Sequence, residues 1–269
     1  MRSRRRRFRI APTRLRARSR RALRVFLAVP LAVQLAIGAF VIVALWLALN
    51  WVYQVVRKPA ELLFPVSGVL SKAPAETWRQ YESIFREHST AVVTPDLLAA
   101  LAQVEGAGNP AARTYWRWRL TQEPFEVYRP ASSAVGMYQI TDATFREAKR
   151  YCIRDHGVVE DGPWHDISSC WFNSLYTRVV PSHAVEMTSA FLDRRVAGIL
   201  QRRGIAAATL QQKQDLAALI HLCGATAGDE YAKRGFRLAA SQRCGDHDAR
   251  GYLAQLNAMK RVFSRLAAS

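Results

Sequence analysis

The sequence predicts a mainly α-helical domain with one small β-hairpin, carried behind a single membrane-spanning helix. Three observations lead to this class. Residues 25–56 contain no charged side chain, apolar residues recur at helical spacing through much of 76–269, and residues 113–135 alternate as a strand pair does. We therefore divide the chain into a tail (1–24), a transmembrane signal anchor (25–56), a linker (57–75) and one globular domain (76–269).

The net charge of +18 is concentrated at the N-terminus. The first 24 residues carry 12 Arg and no acid, which leaves only +6 for the rest of the chain. This modest balance argues against a basic nucleic-acid-binding domain, and the apolar share of 50% excludes a disordered chain. We expect no nucleic-acid partner. Because basic residues stay on the cytoplasmic side of a membrane span, the tail is expected in the cytoplasm.

The apolar run 25–56 is longer than the roughly 20 residues that cross a bilayer core. Trp51 and Tyr53 lie near its end, where aromatic side chains favour the membrane interface. No A-x-A-like cleavage signal closes the run, so we expect an uncleaved anchor rather than a removed signal peptide. Everything after about residue 59 is then expected outside the cytoplasm.

All four cysteines lie in the part predicted to be exported, where oxidising conditions favour disulfides. Of the three possible pairings, the shortest loops join Cys152 with Cys170 and Cys223 with Cys244. A zinc site is the alternative, because the patterns C-x3-H and H-x4-C around Cys152 and Cys170 have ligand-like spacing. These spacings match no established zinc motif, so we expect two disulfides, no metal and no cofactor.

Helix signals follow one another in the globular domain, beginning with a predicted helix at about 76–88. The next helix begins at Thr94, a hydroxyl N-cap followed by Pro95 in the first helical position. It ends in a run rich in glycine after Glu105. Further helices are predicted at about 142–156, 183–203, 210–223 and 248–266, with Thr141, Ser182 and Thr209 as N-caps of the first three.

The alternating segment, residues 113–135, predicts a β-hairpin that turns at Thr121–Pro124. Its aromatic residues Tyr115, Trp116 and Trp118 are interleaved with arginines, a pattern that would suit stacking on sugars or on bases. The alternative is a hairpin with one packed face and one solvated face, which we favour for at least one of the tryptophans.

Glu105 is the candidate acid/base. Leu97 and Leu101 precede it by eight and four residues, so its side chain projects from the apolar face of its helix. A carboxyl in this place is partly desolvated, and desolvation favours the protonated form that a general acid needs. On spacing alone, a solvent-exposed Glu at a helix end is the simpler interpretation.

A second segment favours the catalytic interpretation. Residues 105–110 read E-G-A-G-N-P, and residues 132–144 read S-S-A-V-G-M-Y-Q-I-T-D-A-T. In this order they resemble the soluble-lytic-transglycosylase (SLT) type of lysozyme-like enzymes, which carry E-S-x-G-N-P and then G-A-x-G-L-M-Q-x-M-P-x-T-A. The matching residues are Glu105, Gly108, Asn109, Pro110, Ala134, Gly136, Gln139 and Thr144.

The resemblance implies a lysozyme-like fold and a peptidoglycan lytic transglycosylase in which Glu105 is the single acid/base. Such an enzyme cleaves the MurNAc-GlcNAc β-1,4 bond and closes a 1,6-anhydro ring on the MurNAc. The implied setting is the inner membrane of a Gram-negative bacterium, with a cytoplasmic N-terminus, a periplasmic domain and an envelope or secretion complex as a possible partner. The residues expected to bind the glycan strand are Ser132, Ser133, Gly136, Met137, Tyr138, Gln139 and His221.

Several positions depart from the family pattern. Gly106 replaces a Ser, and His221 aligns with a Tyr that lies beside the catalytic Glu in the family. Tyr138 is expected either to contact Glu105 or a sugar, or to fill the core; for His221 the choice is likewise between core and cleft. The departures leave two alternatives open, a catalytically weak peptidoglycan-binding module of an envelope or secretion complex and a hydrolytic lysozyme. Residues 151–180 form a longer connection than the family needs.

Overall fold

The structure is a computed structural model that describes residues 29–166 and 169–269. The predicted cytoplasmic tail and the first residues of the predicted anchor lie outside the described residues. Helix α1 (Leu31–Arg57) covers most of the predicted anchor, and it is long and apolar enough to cross a membrane. The described residues divide into two units after Tyr53, and the second unit, residues 54–269, carries the elements described below.

The second unit is mainly helical, as predicted. Its longer helices are α3 (Pro74–Glu87), α4 (Pro95–Gly106), α6 (Pro181–Arg202), α7 (Leu210–Cys223) and α9 (Ala249–Leu266). Its shorter helices are α2 (Phe64–Ser67), α5 (Asp142–Ala148) and α8 (Ala225–Lys233), with 3-10 turns at Pro59–Leu63, Gly68–Leu70 and Trp171–Leu175.

Three short antiparallel strand pairs are present among the described residues of this unit. They are β1 (Trp116–Trp118) with β2 (Tyr128–Pro130), β3 (Tyr151–Arg154) with β4 (Gly157–Glu160), and β5 (Arg243–Cys244) with β6 (His247–Asp248). The first pair is the predicted hairpin, in which Trp116 lies opposite Pro130 and Trp118 opposite Tyr128.

Helix α4 forms the centre of the core. Residues 97–102 are all buried, which a helix reaches only when neighbours surround it, and α3 and α9 pack against it. Leu98, Leu101 and Phe263 of α9 have no exposed surface. The helix that ends at Glu105 is therefore held on several sides.

Two local predictions are wrong. The helix expected at 142–156 ends at Ala148, because the chain then turns into β3 and β4. Ser182 is not an N-cap, since α6 begins at Pro181. Thr141 and Thr209 are confirmed as N-caps, for the side chain of each accepts a hydrogen bond from the backbone N–H three residues later.

The segment predicted to be a linker, residues 57–75, is folded into helical turns and packed. Glu61 in this segment is fully buried and forms ion pairs with Lys58 at 3.2 Å and Arg113 at 2.5 Å. It also accepts a hydrogen bond from Trp116 Nε1 at 3.0 Å. Because a buried carboxylate with two cations and a donor resists displacement, this segment fixes the start of the β1–β2 hairpin.

The cysteines form the two predicted disulfides, Cys152–Cys170 and Cys223–Cys244. The first joins β3 to the 3-10 turn that begins at Trp171, and the second joins the end of α7 to β5. All four sulfurs are used in these bonds, so the alternative of a zinc site built on the cysteines is excluded.

Candidate active site

Glu105 lies in the last turn of α4, where the chain reverses sharply. Ala107 and Gly108 both have positive φ, of 51° and 63°, and this left-handed backbone ends the helix. A Cβ on Gly106 would lie 2.8 Å from the Cα of Met137. This close approach explains why glycine stands here in place of the Ser of the family pattern.

The Glu105 carboxylate is held from one side. Its Oε1 accepts a hydrogen bond from the hydroxyl of Tyr252 at 2.5 Å, and His221 Nε2 lies 3.7 Å from the same oxygen. Oε2 makes no hydrogen bond with any residue in the described parts of the chain. The Glu105 side chain is 17% exposed, so the carboxyl is partly desolvated but reachable from solvent.

Tyr252 remains a hydrogen-bond donor over a wide pH range. Burial raises the pKa of Tyr252 well above its ordinary value, and the neighbouring Glu105 carboxylate adds to this shift. A tyrosine that keeps its proton can only orient the carboxylate by donating to it. Tyr252 is therefore the residue that fixes Oε1 in place.

A cleft of about 590 Å³ opens beside Glu105. The β1–β2 hairpin contributes Arg113, Tyr115 and Arg117 to its lining. A C-terminal wall adds Asp246 and Tyr252, next to the Cys223–Cys244 disulfide. A cleft of this size with a single partly buried carboxyl at its side is suited to binding part of a polymer and transferring a proton to it.

Comparison with known proteins gives one family. Residues 82–209 match the model described as Transglycosylase SLT domain. Residues 82–209 therefore carry an SLT-type domain. No curated protein and no solved structure matches the chain.

The SLT match includes Glu105 and the segment 132–144, but it ends before α7 and α9. Tyr252, which donates to the carboxylate, and His221, which lies 3.7 Å from it, therefore come from outside the matched range. The SLT domain of this protein is completed by its own C-terminal residues.

Three of the predicted substrate-binding residues line the cleft of the SLT domain: Ser132, Gln139 and His221. Gln139 has a positive φ of 46°, and its amide nitrogen donates to the carbonyl of Gly136 at 2.9 Å. This contact fixes the side chain against its own turn.

Four other predicted residues, Ser133, Gly136, Met137 and Tyr138, are not part of the cleft lining. Met137 and Tyr138 have no exposed surface, and the Tyr138 hydroxyl donates to the Leu98 carbonyl at 3.2 Å. Gly136 has φ +82°, and a Cβ there would collide with a backbone carbonyl. Ser133 Oγ accepts a hydrogen bond from the backbone N–H that begins α5.

The hairpin aromatics separate into different roles. Tyr115 lines the cleft and is 66% exposed, so it is available to stack on a ligand. Trp116 donates to the buried Glu61, and Trp118 stacks on Tyr128 with ring centroids 4.5 Å apart. Trp116 is half-buried and fits the packing interpretation, whereas Trp118 is 65% exposed and, like Tyr115, leaves part of its ring open to a ligand.

Sequence reasoning missed Tyr252 and Asp246. Tyr252 is 147 residues away from Glu105 and lies among the apolar positions of α9, where a tyrosine is typical of core packing. Asp246 lies in the tight turn between β5 and β6, where aspartate is common for local reasons. Neither residue carries a signal in the sequence that would have singled it out.

Proposed function

We propose that this protein is a membrane-anchored peptidoglycan lytic transglycosylase in which Glu105 is the single acid/base. The observation that carries the proposal is the position of Glu105 in a cleft of the SLT domain, with one carboxylate oxygen bound by Tyr252 and the other open. We further propose that helix α1 anchors the chain in the inner membrane, with the N-terminus in the cytoplasm and the SLT domain in the periplasm.

The reaction needs one group that first gives and then takes a proton. Protonated Glu105 donates its proton to the glycosidic oxygen as the bond from that oxygen to C1 of MurNAc breaks. The resulting carboxylate then accepts the proton of the C6 hydroxyl, whose oxygen bonds to C1 and closes the 1,6-anhydro ring. Glu105 regains from the C6 hydroxyl the proton that it gave to the glycosidic oxygen. The reaction therefore consumes no water and needs no second carboxylate.

The remaining cleft residues have binding roles in this proposal. Tyr252 orients the carboxylate in both steps, and its hydrogen bond strengthens as charge returns to Glu105. Tyr115 offers an exposed ring to a sugar, while Arg113 and Arg117 give the hairpin wall a positive charge. This charge would attract the carboxylates of muramic acid and its stem peptides.

One observation favours a second candidate, a hydrolytic lysozyme. Asp246 lines the same cleft as Glu105, and glycosidases that use water employ a pair of carboxylates. In that case Asp246 would stabilise the sugar cation or activate water, and the product would carry a reducing end.

Digestion of purified peptidoglycan separates these candidates. The full-length protein in detergent is incubated with sacculi, and the released muropeptides are identified by mass spectrometry. Anhydro-ended products that vanish with Glu105→Gln and persist with Asp246→Asn support the transglycosylase. Products with reducing ends that vanish in both Glu105→Gln and Asp246→Asn establish the lysozyme instead. Co-sedimentation of the protein with sacculi without released muropeptides indicates a binding module.

A further inference from the structure

A second cavity, of about 700 Å³, shares no lining residue with the Glu105 cleft. Glu87 and His88, where α3 ends, form part of its lining. The beginning of α3 lies beside the end of α4, since Thr77 donates to Gln103 at 2.7 Å. Glu87 is ten residues further along α3, about 15 Å by helical rise. The cavity therefore lies toward the opposite end of the α3–α4 pair from Glu105.

The base of this cavity is rigidly built. Glu186 is 6% exposed, and it accepts hydrogen bonds from the Ile153 N–H at 2.9 Å and from the Tyr176 hydroxyl at 2.6 Å. The Cys152–Cys170 disulfide ties the long connection to β3. These two hydrogen bonds and the covalent link give the cavity a fixed shape before any ligand binds.

The rim of the cavity combines exposed aromatic rings with unused acceptors. Trp171 and Phe172 are 40% and 51% exposed, with ring centroids 5.5 Å apart. Glu87 and Asp155 also line the cavity, and neither carboxylate makes a hydrogen bond or ion pair with the described residues. A sugar matches this combination, because the C–H face of a pyranose packs on an aromatic ring while its hydroxyls donate to carboxylates.

The charge of the lining narrows the class of ligand. The lining contains three carboxylates and one guanidinium, those of Glu87, Asp155, Glu186 and Arg154. The two lining histidines add positive charge only when they are protonated. An excess of negative charge disfavours lipid phosphates and stem peptides rich in carboxylates. Neutral sugars with hydroxyl and acetamido groups do not meet this repulsion.

We propose that the cavity bounded by Trp171 and Phe172 is a second saccharide-binding site, which holds a neutral GlcNAc residue of a glycan strand apart from the Glu105 cleft. The choice of this sugar rests on the proposed function, whereas the site itself rests on the cavity. The long connection 151–180 builds this site. A strand held there stays near the enzyme between cleavage events, since binding at two sites raises the local concentration of each.

The test measures binding of the neutral β-1,4-linked GlcNAc tetramer to full-length Glu105→Gln protein in detergent by titration calorimetry. We expect Trp171→Ala to weaken one class of site about tenfold, because the stacking ring is lost. Phe172→Ala should act in the same direction. Trp164→Ala is the matched control, since Trp164 lies in the same connection and is 79% exposed but does not line the cavity.

The proposal is overturned if Trp171→Ala and Phe172→Ala bind the tetramer as the parent does, or if only an acidic stem peptide binds at Trp171. Its failure is distinct from failure of the proposed function. Absence of muropeptide release by the wild-type protein, together with tetramer binding that depends on Trp171, would reject the transglycosylase alone. Normal release by wild-type protein, together with tetramer binding insensitive to Trp171, would reject the second site alone.

Discussion

Two glutamates of this protein each accept a hydrogen bond from a tyrosine, yet their surroundings differ. Glu105 is bound by Tyr252 at 2.5 Å through one oxygen, and its other oxygen makes no hydrogen bond with described residues. Glu186 is bound by Tyr176 at 2.6 Å through one oxygen and by the Ile153 N–H through the other. A carboxylate with both oxygens bound stabilises structure, whereas one with a free oxygen can exchange a proton with a ligand.

The largest expected effect separates the two glutamates directly. Glu105→Gln should lower the rate of muropeptide release by roughly 10²–10⁴-fold, the usual contribution of a general acid/base. Glu186→Gln should keep release but lower the free energy of unfolding by about 1–3 kcal/mol, because the amide group cannot accept both bonds. Release assays and urea unfolding of both variants check this contrast. An equal loss of muropeptide release in the two variants would contradict the proposed difference between Glu105 and Glu186.

The disulfides beside the two glutamates offer the next comparison. Replacing Cys223 and Cys244 by Ser should reduce release, because Cys244 lines the Glu105 cleft. Replacing Cys152 and Cys170 should spare release and weaken tetramer binding. The bridged residues are 21 and 18 positions apart, so each double variant should lose about 3 kcal/mol of stability. Thermal unfolding, muropeptide release and tetramer binding measure these effects. If loss of Cys223–Cys244 weakened tetramer binding and loss of Cys152–Cys170 reduced release, the assignment of the two sites would be contradicted.

The two tyrosines should differ in kinetics. Tyr252→Phe should lower kcat about tenfold with little change in KM, because the carboxylate loses the donor that orients it. Tyr176→Phe should leave kcat unchanged and cost about 1 kcal/mol of stability. Steady-state kinetics of both variants on soluble glycan fragments test this prediction. An unchanged kcat in Tyr252→Phe would show that Tyr252 does not position Glu105.

Alkaline pH should lower stability through a buried tyrosine. Burial raises the pKa of Tyr138 well above 10, so the unfolded chain loses this proton at a pH where the folded protein keeps it. The stability from this group is complete below about pH 10, and it should fall by about 1.4 kcal/mol per unit as pH rises further. Tyr138→Phe should reduce this slope in unfolding curves measured above pH 10, and an unchanged slope would contradict the prediction.

Much of the fold could be predicted because its signals are local. Thr141 and Thr209 cap helices through residues three positions away, and the alternation around Trp116 and Trp118 marks a strand pair. The β3–β4 pair was missed, although Ile153 and Val158 carry a β-branched signal. The helical spacing of the residues just before this pair predicts a helix that continues through it.

The candidate site was only partly predictable. The sequence placed Glu105 at a helix end, and the resemblance pointed to Gln139 and His221, which line the cleft. It could not say which side chains of the 132–144 segment face outward. The positive φ angles of Gly136 and Gln139 turn the side chains of Met137 and Tyr138 into the core. A match to the family motif does not show this change of direction.

By itself, the sequence predicted the apolar N-terminal helix, the helical class, the cysteine pairing and Glu105 as the candidate acid/base, because each prediction depends on residues close together in the chain or on short motifs. Only the tertiary structure decided which group orients Glu105. Tyr252 reaches it across 147 residues through the packing of α9 on α4, and such a contact is set by how helices fill the core rather than by any local pattern.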